Sequence, residues 1–279
     1  MTVRLTAIGI HPVKSTAIRR VAQADVGFAG LRGDREWMVV DETGEMISAR
    51  VEPRLFTITA STPATGDTAA DLLLEAPGLS PLEVSHPQAD AVDVRLFRTK
   101  ELVARPAGAE ADAWIRQAVG RDDLRLVWCH DPRRRRLRRG REGDHAAFQD
   151  GYPVTLLSEE SVAQVDAWMG EDARARGETP PAPISARRFR PNLLVEGAPA
   201  AFAEDDWERV RIGDVVLRRA KLVDRCVMTT IDPDDLSRGK DPIRTLAAHR
   251  RWDGSTWCAV HYIPEATGRV GVGDRVIPF

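Results

Sequence analysis

The chain has 279 residues and a formal charge of -2 at pH 7, with 43% hydrophobic and 29% charged residues. A chain of this length exceeds what one core usually fills, so it predicts two closely packed subdomains. Its composition is typical of a globular protein with a solvated surface. The charge balance excludes the overall basic field that drives nonspecific binding to nucleic acid or anionic membranes.

The sequence carries no apolar stretch long enough to span a bilayer and no export signal at its start, which predicts a cytoplasmic protein. Its three cysteines, Cys129, Cys226 and Cys258, form no CxxC pair. We therefore expect free thiols, and too few thiolates for a zinc or iron-sulfur site built by the protein alone. One cysteine can still bind a metal whose other ligands come from a cofactor.

The residue pattern of the first hundred positions predicts short strands. The segments RLTAIGIHPV, EWMVVD and LFTITAS are rich in Val, Ile and Thr, and ETG supplies a hairpin turn at Gly44. Strands spaced this closely predict a barrel or a sandwich. The segment EADAWIRQAVG, residues 110–120, is amphipathic and ends on glycine, as expected of a helix. We place the subdomain boundary after it, which divides the chain into 1–121 and 122–279.

Arginine is concentrated in HDPRRRRLRRGREGDH, residues 130–145, above all at 133–141. Like charges repel each other and resist packing, so the pattern predicts a mobile, solvated loop. Alternatively, an acidic partner or an anionic ligand orders this loop through arginine contacts. Nucleic acid is the less favoured partner, because no aromatic residues alternate with these arginines for base stacking.

The second half of the chain predicts further strands and two helices. YPVTLL is a strand, and Ser158 is the N-cap of the helix that follows it. A hairpin turns at Gly213 and Asp214, and DPIRTLAAHRR is a short helix with Pro242 near its start. No repeat of solenoid or propeller length is present. The whole pattern predicts a mainly β, α+β protein.

Cys226 lies in DRCVMTTIDPD, where a strand ends. Buried packing is the commonest role of a cysteine. Here Arg225 precedes it, Asp224 makes its surroundings polar, and Thr229 and Thr230 add hydroxyl groups. A cationic neighbour stabilises the thiolate, which is the form that binds soft metals or attacks electrophiles. Packing, metal binding and nucleophilic catalysis therefore stay open for this residue.

Nucleophilic catalysis by Cys226 would need a histidine base held by a third group. His249 and His261 are the nearest histidines in the sequence, but their spacing designates neither as a base, so a protease or acyl-transfer role is unsupported. We interpret Cys129, beside the arginine run, and Cys258, in an apolar segment, as packing residues.

Donors that commonly bind phosphate stand at three strand ends. Lys14 and Ser15 occur in HPVKS, and Arg35 occurs in GDREW. Arg190 and Asn192 flank a proline that restricts the local backbone. Each of these residues alone is more often a surface residue. They form an anion site only if the fold brings them together.

Seven segments, taken in order and spacing, resemble the MOSC family, named for the molybdenum cofactor sulfurase C-terminal domain. They are HPVKS, GDREWMVVD with ISARVEPRL, LLSEES, RFRPNLLVEG, RIGDVVLRRAKLVDRCVMTTIDPD, KDPIRTLAAHR and VGVGDRV. The most specific part is Arg-Cys-x-x-Thr-Thr-x-Asp-Pro, and the likeness covers nearly the whole chain. It is greatest for two-part members that reduce amidoximes. The resemblance implies an N-terminal β-barrel subdomain packed on a MOSC-type β-barrel with a few peripheral helices.

The resemblance implies that Cys226 is the catalytic residue and the protein ligand of molybdenum, while the pterin dithiolene and oxo groups of the molybdenum cofactor (Mo-molybdopterin) supply the other ligands. It also implies that cofactor contacts come from Lys14, Ser15, Arg35, Arg190, Asn192 and Arg225, and more weakly from Asp150, Gly151 and Tyr152. His261 stands where a cofactor-contacting tyrosine often lies, so we expect the substrate side to differ. Pyridoxal phosphate, associated with the family at large, is not expected.

The activity implied is a two-electron removal of oxygen from N-hydroxylated compounds such as amidoximes, hydroxylamines and N-hydroxylated bases. We expect a separate flavoprotein, ferredoxin or cytochrome b5-like donor, because no ferredoxin-like domain precedes the end at Phe279. An acidic donor docking on the arginine-rich loop is the corresponding hypothesis. We expect neither a membrane anchor nor a nucleic-acid partner. The alternatives are a noncatalytic carrier of the cofactor, or of sulfur on Cys226, and a barrel with a buried cysteine.

Overall fold

A computed structural model describes residues 2–97, 99–137 and 140–279. Within these ranges the protein is built mostly of strands and has three α-helices, which confirms the predicted mainly β fold with few helices. The helices are α1 (Ala109–Val119), α2 (Glu159–Ala175) and α3 (Ile243–His249). No helix in this part of the chain is long and apolar enough to cross a membrane.

The strands alternate with short turns along the whole chain. They are β1 (Arg4–Ile10), β2 (Arg19–Val21), β3 (Gln23–Gly27), β4 (Gly30–Leu31), β5 (Trp37–Val40), β6 (Thr59–Ser61), β7 (Leu72–Glu75), β8 (Leu82–Val84), β9 (Val92–Leu96), β10 (Thr99–Pro106), β11 (Arg125–Trp128), β12 (Val154–Ser158), β13 (Leu193–Glu196), β14 (Arg209–Ile212), β15 (Val215–Asp224), β16 (Arg251–Trp252), β17 (Ser255–Ala266), β18 (Gly268–Gly271) and β19 (Val276–Pro278).

The largest sheet has the strand order β19-β14-β15-β17-β12-β13-β1-β2, with β16 paired to β17. Its β12 and β13 strands are parallel. Parallel neighbours need a long crossover connection, and α2 supplies it. The inward side chains of this sheet form one hydrophobic core, which includes the buried residues Leu5, Leu156, Val210 and Tyr262.

Strands from the start of the chain belong to this C-terminal core. β1 pairs with β13, and β3 pairs with β18. Most other strands before α1 form the sheets β5-β11-β10-β9, which β11 joins from beyond residue 121, and β6-β7-β8, and α1 packs over a second core. The two halves therefore share strand pairs. The division of the chain into 1–121 and 122–279 stays a prediction.

Several local predictions are confirmed. α1 ends at Gly120, which has φ 75°, and α2 begins after Ser158, whose hydroxyl accepts a hydrogen bond from the Ser161 amide. β14 and β15 form the hairpin predicted at Gly213, which has φ 56°. The strand predicted over LFTITAS is wrong in its first half, because Pro53 begins a 3-10 helix that continues to Thr57.

The arginine run differs from a fully solvated loop. Arg138 and Arg139 lie outside the described residues, and Arg133 and Arg134 are exposed, as predicted. Arg135 is buried, and its guanidinium group donates to the carbonyls of Ala147, Gln149 and Asp150. The prediction of solvated charge is therefore wrong at this residue. Carbonyl oxygens replace the water that Arg135 loses, so the buried charge is tolerated.

Candidate functional site

A cavity of about 340 Å³ lies where the two halves meet. Cationic and acidic side chains line it in a ratio of seven to two. The cations are Lys14, Arg35, Arg50, Arg188, Arg190, Lys221 and Arg225, and the acids are Asp150 and Asp224. The whole chain carries a charge of -2, so this positive charge is a local property of the cavity. Such a lining attracts an anionic ligand.

Ten of the eleven site residues named from the sequence line this one cavity. They are Lys14, Ser15, Arg35, Asp150, Gly151, Tyr152, Arg190, Arg225, Cys226 and His261. The eleventh, Asn192, is buried beneath the lining, where it binds Arg35. Segments more than two hundred residues apart in the sequence thus meet at one place.

Backbone strain is concentrated at the cavity. Eight described residues other than glycine have positive φ, and four of them line it: Ser15 (72°), Arg35 (50°), Phe97 (54°) and Arg190 (53°). This conformation is costly for residues with a side chain, and folds retain it mostly where function requires it. Three of these strained residues, Ser15, Arg35 and Arg190, were also predicted from the sequence motifs, whereas Phe97 was not.

Lys14 and Asp150 form an ion pair in the cavity wall. The Lys14 Nζ also donates to the Phe148 carbonyl at 2.7 Å. Burial lowers the pKa of Lys14 to about 8, although Asp150 opposes the shift. Burial by itself would raise the pKa of Asp150, but Lys14 and Arg50 hold it below its usual range. The carboxylate therefore stays charged among the cations.

Arg35 is held by a network beneath the cavity. Its Nη1 donates to Asp34 at 2.7 Å and to the Asn192 Oδ1 at 3.1 Å. The Asp34 carboxylate also accepts from the His11 backbone amide at 2.9 Å. Burial lowers the pKa of His11, and the Arg35 charge adds to this effect, so His11 is neutral. The guanidinium group of Arg35 is thus fixed in one orientation.

Two further arginines present unpaired donors. The Nε of Arg225 donates to the Cys258 carbonyl at 2.7 Å, and its Nη1 donates to the Phe189 carbonyl at 2.8 Å. The Nη2 atoms of Arg225 and Arg190 are buried and have no hydrogen-bond partner among the described residues. Burial, followed by the charge of Arg35, lowers the pKa of Arg190 to about 9. Buried donors without partners are rare, and an anionic ligand would satisfy both.

Cys226 is the one cysteine of the three that lines the cavity. It lies just beyond the end of β15 and precedes the 3-10 helix Val227–Thr230. The amide and hydroxyl groups of Thr229 both donate to the Cys226 carbonyl, at 3.1 and 3.0 Å, which fixes the backbone. Cys129 and Cys258 are buried, and burial raises the pKa of each thiol to about 12. Their environment is that of packing residues.

The cavity fits the molybdenum cofactor in its donor chemistry. In the described ranges, no group of three or more His, Cys, Asp or Glu side chains is placed to hold a metal ion. A metal on Cys226 must therefore take its other ligands from a nonprotein group. A soft sulfur donor favours a redox transition metal, and the unpaired Nη2 atoms of Arg190 and Arg225 suit the phosphate of such a cofactor.

His261 faces the cavity from β17. Its Nδ1 lies 3.2 Å from the Thr155 Oγ1, and its ring centroid lies 5.6 Å from that of Tyr152. A Cβ added to Gly151 would lie 3.3 Å from the His261 Nε2, so glycine leaves room for the imidazole ring. Burial, followed by the charge of Arg225, lowers the pKa of His261 to about 3. The ring is neutral near pH 7.

Sequence reasoning missed part of the cavity wall. Arg50 and Phe97 come from the N-terminal half, and Arg188 and Lys221 come from the C-terminal half. Arg50 lies within ISARVEPRL, one of the segments that carried the family resemblance, so that segment contained the signal. Lys221 and Val223 lie two residues apart in β15 and both line the cavity, a two-residue alternation that continues to Arg225 and could have been read from the strand pattern.

Comparison with known proteins defines the class. Residues 2–122 match the MOSC N-terminal beta barrel domain, and residues 143–277 match the MOSC domain. The chain therefore belongs to the MOSC family, in the form that carries the N-terminal barrel domain. This confirms the resemblance drawn from the motifs.

Named relatives of the chain are amidoxime-reducing components. It is 32% identical over 295 residues to mitochondrial amidoxime-reducing component 1 of Homo sapiens, covering 96% of this chain and 80% of that protein. It is 30% identical over 295 residues to mitochondrial amidoxime reducing component 2 of Rattus norvegicus, covering 98% of this chain and 82% of that protein. The protein is thus related to these reductases over nearly its full length.

Proposed function

We propose that this protein is a molybdenum-cofactor-dependent reductase of N-hydroxylated compounds. The observation that most directly supports this proposal is that Cys226, a half-buried thiol, lines a cavity together with seven cationic side chains. A soft donor beside an anion-binding wall suits a cofactor that combines a soft metal with a phosphate. The kinship with proteins named amidoxime-reducing components supports the substrate class.

The bound cofactor would supply the redox chemistry, in which two electrons and two protons convert an N–OH group to N–H and release water. Cys226 would hold the metal. Arg225, fixed by two backbone carbonyls, would direct its remaining nitrogen at the cofactor. The phosphate and pterin would be bound by Lys14, Ser15, Arg35 and Arg190, with weaker contributions from Asp150, Gly151 and Tyr152. The protein thus orients the cofactor and sets its electrostatic environment.

The neutral His261 would contribute a hydrogen bond without adding charge. Its Nδ1 is engaged with Thr155, which leaves Nε2 on the side of Gly151. A tyrosine at this position could donate a hydrogen bond only from the end of a longer side chain. We infer that His261 leaves more room for the substrate than a tyrosine would.

Electrons would come from a separate protein. The arginine-rich loop is a weaker docking site than its composition implies, because Arg133 pairs with Asp131 and Arg141 pairs with Glu265. Arg134 and Arg136 remain exposed in the described part of the loop. We infer that Arg134 and Arg136 attract an acidic electron-donor protein, and that their charge mainly raises the rate at which the donor associates with this protein. The cytoplasmic location stays a prediction.

The test compares wild type with Cys226→Ser and with Cys129→Ser, all purified from a host that makes the cofactor. Cys129 is the matched control because it is a buried thiol that does not line the cavity. Molybdenum content is measured first, followed by reduction of benzamidoxime with reduced methyl viologen. We expect wild type and Cys129→Ser to hold stoichiometric molybdenum and to turn over, and Cys226→Ser to lose activity.

Equal molybdenum and equal turnover in all three proteins would refute the ligand role of Cys226. A wild type that exchanges cofactor or sulfur readily but reduces no substrate would instead support the carrier alternative. Absence of molybdenum, with no effect of Cys226→Ser beyond stability, would support a barrel with a buried cysteine.

A further inference from the structure

Phe97 stands at the cavity in a conformation that its residue type disfavours. It begins the tight turn between β9 and β10, where Leu96 pairs with Thr99. Such turns select Asn, Asp or Gly, because they require positive φ. Phe97 has φ 54° and is 39% exposed. A bulky apolar residue that is both strained and exposed meets no evident need of folding.

The ring of Phe97 is close to two cations of the cavity. The Arg50 Cζ lies 4.7 Å from the ring centroid, and the Lys14 Nζ lies 5.6 Å from it. Lys14 is only 4% exposed, so it is deeper in the cavity than Phe97. The aromatic ring therefore lies toward the mouth, where a substrate enters, and the cations fix its orientation.

Other aromatic side chains of the lining offer little free surface. Tyr152 is 7% exposed and Phe189 is 1% exposed, and both pack in hydrophobic clusters. Among the described lining residues, Phe97 thus presents the most accessible phenyl surface. An offset or edge-on contact with a second aromatic ring is favourable beyond the area that it buries.

We propose that Phe97 forms the aromatic wall of the substrate site and selects N-hydroxylated compounds that carry an aryl group. This inference rests on the proposed reductase function. The cations bind the anionic cofactor in the depth of the cavity, and Phe97 binds the uncharged part of the substrate at its mouth. The strain in its backbone is retained because it directs the ring into the cavity.

The test measures kcat and KM for two substrates, benzamidoxime and the small, nonaromatic acetamidoxime. In Phe97→Ala, the KM for benzamidoxime rises about three- to tenfold, as expected for the loss of one aromatic contact. Its kcat, its molybdenum content and the KM for acetamidoxime stay at wild-type values, because the lost contact is equally strong in the ground and transition states.

Three variants complete the test. Phe97→Tyr keeps the ring and keeps the wild-type KM for benzamidoxime. Phe97→Leu keeps the apolar bulk without the ring and shows the same rise in the KM for benzamidoxime. It replaces Phe97→Ala in the test if the alanine variant folds poorly. Phe28→Ala is the matched control, since Phe28 is 53% exposed and lines a different cavity, and it changes neither KM.

Equal changes in KM for both substrates overturn the aromatic selectivity. Loss of molybdenum in folded Phe97→Ala also overturns it, and assigns the ring to the cofactor instead. A wild type that holds molybdenum but reduces neither substrate refutes the proposed function itself. A different outcome refutes only the role of Phe97: the wild type reduces both substrates, and Phe97→Ala has the same kcat and KM as the wild type for each.

Discussion

Asn192 provides a test of whether a buried amide positions the cavity arginines rather than binding a ligand. Its Oδ1 accepts from the Arg35 Nη1 and from the Thr155 amide, both at 3.1 Å, and its Nδ2 donates to the Gly9 carbonyl at 3.0 Å. These contacts join the residue that precedes β13 to both β1 and β12. The side chain is buried and does not line the cavity.

Asn192→Ala removes all three hydrogen bonds at once. The Thr155 amide is left without this partner in a buried position, at a cost of about 1–3 kcal/mol, and the Gly9 carbonyl adds a smaller loss. Arg35 keeps its bond to Asp34, so we expect a total loss of about 2–4 kcal/mol in the free energy of unfolding. For a chain of 279 residues that lowers Tm by roughly 3–7 °C.

The assay is thermal unfolding of the cofactor-free protein, followed by molybdenum analysis of protein made in a cofactor-competent host. Asn192→Asp keeps both acceptor contacts, but it replaces the donor to the Gly9 carbonyl with an acceptor and adds a buried negative charge beside Arg35, so it tests the loss of the Gly9 contact. Arg35→Ala should lose molybdenum and also lower Tm, because it leaves the buried Asp34 carboxylate without its cation. An Asn192→Ala protein with wild-type Tm would refute the positioning role. Loss of molybdenum at wild-type stability would show that Asn192 contacts the cofactor directly.

Three further predictions concern charge and thiol chemistry. The pKa of His261 is about 3 in the folded protein, so as pH falls below 6.5 the unfolded chain binds a proton that the folded protein does not, and the folded state loses stability. His261→Asn removes this loss, so at pH 5 the acid-induced fall in its free energy of unfolding should be smaller than in wild type by up to about 2 kcal/mol. Urea titration measures the difference, and equal pH profiles of the two proteins would contradict it. Arg190→Lys, which replaces the unpaired Nη2, should lower molybdenum content, while Arg134→Lys should not. Iodoacetamide should alkylate one thiol in the folded cofactor-free protein, and none in Cys226→Ser; fast labelling of that variant would contradict the burial of the other two cysteines.

Local features could be predicted because their causes lie within a few residues. Ser158 begins α2 because a hydroxyl group at that position binds the first free amides of the helix, and Gly120 ends α1 because glycine tolerates positive φ. The strand predicted over residues 55–61 failed in its first half because apolar composition alone does not separate a strand from a buried 3-10 turn.

Arg135 shows what local reasoning cannot reach. Within its run of arginines it looks like one solvated charge among many, but in the fold it donates to the carbonyls of Ala147, Gln149 and Asp150. Those partners are carbonyl groups of a distant segment, and every residue carries such a group. Composition therefore holds no signal for this buried charge.

By itself, the sequence determined the types of residue available for chemistry: one cysteine in a polar motif, and scattered lysine, arginine and amide groups. Their motifs were sufficient to recognise the family. Only the tertiary structure decided that ten of these residues line one cavity, that Asn192 supports Arg35 from below, and that Phe97 enters the wall. The physical reason is that the site is assembled from strand ends whose pairing, such as β1 with β13, joins residues nearly two hundred positions apart.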